Sequence, residues 1–284
     1  MLVTTKMKKQ KSTSIILWIL SVLLMASLAI YQRTTGPTYP VSGKIALGGT
    51  FIKYKLFRSY DTGSDALIEI SVPEGVKAVY KYKRFKSHDE WTNIELVPDN
   101  GKIIANIPHQ PAAGKVEYQI ALIDGVKAYP LTEEPVVIRF KGSVPDYVLI
   151  PHIFFMFFAM VFSLRTGLEA LLKRPNTYYF TTATLLLFTA GGLILGPIVQ
   201  KYAFDAYWTG WPWGHDLTDN KTLAAFIFWF IAWLVLRRNH ENRLWPVVAM
   251  FVMLAVYLIP HSVLGSEIDH TKIENQINKT EQQE

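Results

Sequence analysis

The chain has 284 residues and no cysteine. That absence excludes disulfides, iron–sulfur clusters, Cys-ligated zinc, a thiol nucleophile and covalent c-type haem attachment. Charge is also scarce: only 18% of residues are Asp, Glu, Lys or Arg. Five stretches lack all four types, namely 12–31, 147–164, 175–200, 222–236 and 244–266. At 1.5 Å of helical rise per residue, the longer ones reach across the roughly 30 Å of a bilayer's hydrocarbon. HExxH, GxSxG and glycine-rich phosphate loops are missing, so metalloprotease, serine-hydrolase and nucleotide chemistry lack their signatures. Asp216-Leu217-Thr218-Asp219-Asn220 alternates oxygen ligands but lacks the glycine and glutamate that complete a calcium loop. No array of charged residues is expected at mid-depth of a span, which argues against a pump or voltage sensor. The absence of an inverted repeat weighs against common transporter designs.

Half of the residues are apolar, 13% are aromatic and the mean hydropathy is +0.17, so neither a purely soluble nor a disordered chain is expected. Lys6, Lys8, Lys9 and Lys11 precede the first apolar run and favour the cytoplasmic side. The connections 165–174 and 237–243 each carry net +2, whereas 197–221 carries net −1 and the tail from Gly265 net −3. This alternation predicts a cytoplasmic amino terminus and an extracytoplasmic carboxyl terminus. The expected order is a basic tail (1–11), an anchor (12–31), an outer domain (32–146), spans 147–164, 175–200, 222–236 and 244–264, and an acidic tail (267–284). The span region extends to 266 and includes an aromatic outer loop at 201–221. The first run also reads as a secretory signal ending near Ser27-Leu28-Ala29, with a retained anchor as the preferred reading. The +6 formal charge is spread over these segments and does not indicate nucleic acid. Lys77, Lys81, Lys83, Arg84 and Lys86 form a local cluster that either solubilises a strand edge or meets an acidic partner or anionic lipid.

Within 41–141, ALIEISV, AVYKY, IIANI, VEYQIALI and VVIRF alternate with period two, and Asn100-Gly101 and Asp124-Gly125 punctuate them as turns. The segment Gly43–Phe57 is expected to add one or two strands. Together these predict a β-sandwich. Trp91-Thr92, Asn106-Ile107-Pro108, Gln110-Pro111-Ala112, Gly114-Lys115-Val116-Glu117-Tyr118 and Ala121 resemble immunoglobulin-like or fibronectin-type extracellular modules, over about residues 65–141. The resemblance implies binding, spacing or scaffolding, and brings no catalytic residues. The expected fold class is mixed: a single anchor helix, an extracytoplasmic immunoglobulin-like β-sandwich and a four-helix transmembrane bundle.

Candidate chemistry gathers at one end of the expected bundle. The loop YAFDAYWTGWPWGHDLTDNKT places Trp208, Trp211 and Trp213 within six residues. It reads either as an interfacial cap, with Asp216, Thr218 and Asp219 bonding local backbone, or as a lid over a site. His152 and His261 each follow a proline at an outer span end, and His215 lies in the loop. An imidazole there needs a partner. His152 and His261 could ligate a b-type haem, or His152, His215, Asp216 (or Asp205) and His261 a transition metal, or the histidines could tie the loop to the helices. Asp216 or Asp219 is expected to approach one of these imidazoles. The expected partners are membrane lipid and another protein. The leading functional expectation is a subunit or scaffold within a membrane complex; the alternative is a redox or metal protein.

Overall fold

A computed structural model describes residues 2–260 and 267–281. It is a mixed α/β structure with several sheets and apolar helices, and it divides into two compact units.

One unit is mainly β. Gly48 and Gly49 take φ of +55° and +77° between β1 (Val41–Leu47) and β2 (Thr50–Leu56), a backbone that glycine adopts without strain. β4 (Ala66–Ser71) pairs antiparallel with β7 (Lys102–Ile107). β3 (Ser59–Asp61), β10 (Val136–Lys141), β8 (Lys115–Asp124), β5 (Lys77–Arg84) and β6 (Thr92–Leu96) form the largest sheet in that order. The sixth strand, β9 (Lys127–Pro130), returns on β8. Alternation decides which face is buried: in β7, Ile103, Ala105 and Ile107 are buried while Lys102, Ile104 and Asn106 are exposed. All three sheets contribute to one core, including Leu56, Ile68, Ile103, Ile120 and Phe140. Two phenols enter it with their hydroxyls satisfied: Tyr118 donates to the Phe57 carbonyl at 2.8 Å, and Tyr80 to that of Asn106. Burial raises the pKa of both. The unit also includes α7 (His270–Glu281). The short strands β3, β6 and β9 lie outside the alternating runs, because three to five residues show too little periodicity to read.

The other unit is helical: α1 (Leu2–Thr35), α2 (Asp146–Leu171), α3 (Thr177–Phe188) continuing into α4 (Gly196–Phe204), α5 (Leu217–Arg238) and α6 (Leu244–Leu258). Four of its helices are long and apolar enough to cross a membrane: Lys11–Thr35, Asp146–Leu171, Thr177–Phe204 and Leu217–Arg238. The expected fifth span, 244–264, is described as a helix of 15 residues. That is about 22 Å of rise, short of the hydrocarbon thickness. Ile259 turns extended before Pro260, as the ring of a following proline demands.

One connection is shorter than its charge pattern suggests. The 165–174 connection does not begin at Arg165, because α2 runs on to Leu171 and encloses both Arg165 and Glu169. Pro151 is the sixth residue of α2, where its missing N–H removes an intrahelical bond. Lys221, near the start of α5, is 7% exposed and donates to the Ile259 carbonyl at 2.7 Å. That carbonyl ends α6 and needs a donor, which outweighs the pull of water on the ammonium.

Small residues permit close packing in the helical unit. A Cβ at Gly191 would stand 3.0 Å from the Met156 nitrogen, and one at Gly167 would stand 2.0 Å from Met250 Sδ. Trp229 is fully buried among the helices, with its indole nitrogen 3.1 Å from Met253 Sδ.

Candidate functional site

The loop after α4 is organised by the first turn of α5. Asp216 caps that helix, accepting from the Thr218 amide at 2.7 Å and from the Thr209 hydroxyl at 3.2 Å. Asp219 Oδ2 accepts from the Thr209 amide at 2.6 Å, the Gly210 amide at 3.0 Å and Gln200 Nε2 at 3.1 Å. Asn220 Oδ1 accepts from the Trp211 amide at 2.6 Å. The helix N-terminus thus holds side-chain acceptors that satisfy a run of otherwise orphaned loop amides. Gly210 allows this, since its Cβ would fall 2.5 Å from that of Asp219.

The tryptophans divide by role. Trp208 donates from its indole to the Trp211 carbonyl at 3.0 Å, which closes the turn. Trp211 and Trp213 are exposed by 67% and 82%. Such rings suit a headgroup layer, where an apolar face and a polar edge are both accommodated.

His152 lies part-buried on α2 with Nδ1 2.9 Å from the Gly191 carbonyl. That carbonyl lies in residues 189–195, which widen to i→i+5 hydrogen bonding between α3 and α4, and it also accepts from the Gly196 amide. Such widened turns occur often at functional positions. With Nδ1 taken as the donor, Nε2 keeps the ring's lone pair, which is the tautomer of a metal-ligating histidine. His215 is exposed, and His261 lies outside the described residues. The expected carboxylate–imidazole approach is not met at His152, whose bond goes to backbone. Asp219 turns to the loop's own amides, because several converging N–H groups are a better partner for a carboxylate than one neutral ring. Among the described residues, no three His, Asp or Glu side chains converge as metal ligands.

A second polar centre went unread in the sequence. Arg165 Nη1 donates to Glu169 Oε2 at 2.5 Å, and Arg174 Nε donates to the same oxygen at 3.0 Å. The Asn176 amide takes Glu169 Oε1 at 3.2 Å. Arg165 and Glu169 are both fully buried. The Arg165 guanidinium lies 4.7 Å from the Phe180 ring centroid and 5.5 Å from that of Trp18, and reaches Ser14 at 3.3 Å. It therefore joins α1, α2 and α3. The i, i+4 spacing of Arg165 and Glu169 was the available signal, masked by their place at the end of an apolar run.

In the β unit, Lys81, Lys83 and Arg84 of β5 meet aromatic rings or carboxylates. Lys81 and Lys83 stand 4.8 and 5.3 Å from the Trp91 ring centroid, and Lys83 also meets Glu117 at 3.4 Å. Arg84 grips Asp89 through two bonds of 2.7 Å. That fork draws the Asp89 carboxyl down to a pKa of about 2.

No family model matches the chain, and no curated protein or solved structure matches it.

Proposed function

We propose that the chain is an integral subunit or scaffold of a membrane complex, whose extracytoplasmic β domain docks a partner protein. The observation that carries this reading is the peptide segment seated on the β domain. Lys86 and Lys115 both hold Glu267, Arg84 meets Glu274, and the Thr271 amide bonds the Lys86 carbonyl at 3.0 Å. A surface that holds one segment through charge and backbone bonds is built for binding. The likeness of residues 65–141 to immunoglobulin-like or fibronectin-type modules supports the same reading.

The same contact supports a carboxyl terminus on the same side of the membrane as the β domain, the side that the charge alternation makes extracytoplasmic. Tail and β domain must share a side of the membrane, and α2, α3–α4, α5 and α6 lie between them in sequence. Only an even number of crossings returns the chain to the same side. Since the first three are long enough to cross, α6 crosses too, despite its length. The bilayer thins locally around short spans at modest cost. Contacts of α1 with the other helices, through Trp18 to Phe162 at 4.9 Å and Gln32 to the Tyr257 carbonyl at 2.5 Å, favour a retained anchor over a cleaved signal.

Gentle extraction in detergent followed by native mass measurement tests the docking reading. It should find the chain with another polypeptide. A monodisperse monomer with catalytic turnover of its own would reject it.

One observation favours a second reading, a b-type haem or transition metal at the outer face. The Gly191 carbonyl orients the His152 ring through Nδ1 at 2.9 Å, so Nε2 is the nitrogen that would ligate. His261 would supply the opposing ligand. Purified protein should then show a Soret band or stoichiometric metal that His152→Ala removes; clean protein with neither excludes it.

A further inference from the structure

The tail's seat on the β domain has a definite chemical pattern. Glu267 lies between two ammonium groups: Lys115 Nζ bonds its Oε2 at 2.5 Å and Lys86 bonds its Oε1. Both lysines also stand over the ring of Phe85, at 5.8 Å for Lys86 and 5.4 Å for Lys115. The ring and the shared carboxylate together fix their separation. Next comes backbone recognition. The Ile268 amide donates to the Ala113 carbonyl at 3.3 Å, and the Thr271 amide to that of Lys86 at 3.0 Å. Lys86 itself takes φ of 51°, a turn conformation. At the far end Arg84 is held by Asp89 and presents its outer edge to Glu274 Oε1 at 3.2 Å and to His270 Nδ1 at 3.1 Å. The ledge therefore reads a carboxylate, an amide one residue on, an amide four on, and a second carboxylate seven on.

The occupant fits this pattern incompletely. His270 Nε2 is buried without a hydrogen-bond partner among the described residues, a mismatch that weakens the seat. The ion pairs are part-exposed, and such pairs contribute about 0–1 kcal/mol each. A tethered segment at roughly millimolar effective concentration holds such a site only against weak competitors.

We propose that the ledge formed by Arg84, Lys86 and Lys115 is a receptor for an acidic, helix-forming segment of a partner protein, and that residues 267–281 occupy it in the partner's absence. This rests on the docking-subunit reading and names the chemistry of the docked segment. Charge complementarity supplies the argument: Phe85 lies beside Lys86 and Lys115, Asp89 holds Arg84, and carboxylates seven residues apart meet these three basic side chains.

The test uses the full-length chain in detergent or nanodiscs and a fluorescent peptide of residues 267–281 as probe. The variant Glu267→Gln/Glu274→Gln weakens the tethered tail and should bind the peptide at least tenfold more tightly than the natural chain. Adding Lys86→Glu and Lys115→Glu to that variant should abolish binding, as should replacing both glutamates in the peptide by glutamine. Equal binding to the natural and glutamine chains, no binding to either, or binding indifferent to the lysines would overturn the proposal. Self-association of the natural chain that vanishes in the glutamine variant would also overturn it, assigning the ledge to tail exchange between copies. Native mass measurement of the natural chain tests the docking reading separately: lack of a partner there would remove its premise and leave the peptide titration unchanged.

Discussion

Replacing Glu169 by alanine should be among the most destabilising single changes in the helical unit. Its carboxylate accepts from Arg165 at 2.5 Å, Arg174 at 3.0 Å and the Asn176 amide at 3.2 Å, and it is fully buried. Removal leaves a buried guanidinium facing an empty site, and breaking a buried pair from one side costs about 3–5 kcal/mol. The measurement is unfolding of the purified protein in mixed micelles, followed by far-UV circular dichroism and expressed as a free energy. Glu169→Gln should cost less, because an amide oxygen still accepts hydrogen bonds although it no longer neutralises charge. The decisive comparison is Arg165→Met/Glu169→Ala, which removes the pair and keeps apolar volume over Trp18 and Phe180. It should recover at least half of the loss. A cost below about 1 kcal/mol for Glu169→Ala, the size expected of a solvated surface pair, would refute the reading.

Asp219→Ala should release the loop from the start of α5 while leaving the helix formed. The orphaned amides cost about 1–3 kcal/mol for each buried group, and a cysteine placed at Trp208 should label faster with an aqueous thiol reagent; an unchanged rate would show that the loop holds itself. Gly167→Ala should loosen the packing of α2 on α6, where the new Cβ overlaps Met250, by about 1–3 kcal/mol in the same unfolding assay. Acidification should detach the tail from the β domain. Glu267, facing Lys86 and Lys115, and Asp89, facing Arg84, both have lowered folded pKa values, that of Asp89 reaching about 2. Depressed carboxyl pKa values give stability that is complete above the ordinary carboxylate range and is lost as pH falls through the folded values. Fluorescence transfer between dyes on the tail and on β6 should therefore be flat from pH 7 to about 5 and fall progressively below about pH 4. Loss of transfer near pH 6 would contradict this assignment.

Local pattern alone decided several parts of this protein. Ala66–Ser71, Lys102–Ile107 and Lys115–Asp124 declare themselves as strands because one face is buried and every second side chain must be apolar. Three long helices declare themselves through the uncharged runs 12–31, 147–164 and 175–200, each near the twenty or so residues that a span needs, whereas Leu217–Arg238 reaches its length only by enclosing charged residues at both ends. That Asp216 and Asp219 would bond local backbone was legible, since short acidic side chains before an apolar run commonly accept from nearby amides; that Asp216 is the residue that caps α5 was not.

Tertiary structure decided what charge along the chain cannot. A window of sequence treats Arg165, Glu169 and Lys221 as water-facing punctuation, and all three are buried: Arg165 and Glu169 pair with each other on α2, Phe180 of α3 faces the guanidinium, and Lys221 meets the carbonyl that ends α6. Gly191 lets its helix pack close to Met156, and its carbonyl meets His152 39 positions away in sequence. The acidic tail carries no sign in its own sequence of where it binds. Glu267 and Lys115 are 152 positions apart, and only the folded chain closes that distance. Hydrogen bonds and ion pairs act over a few ångströms of space whatever the separation along the chain, so residues whose partners lie far away in sequence acquire a role only when the fold brings those partners together.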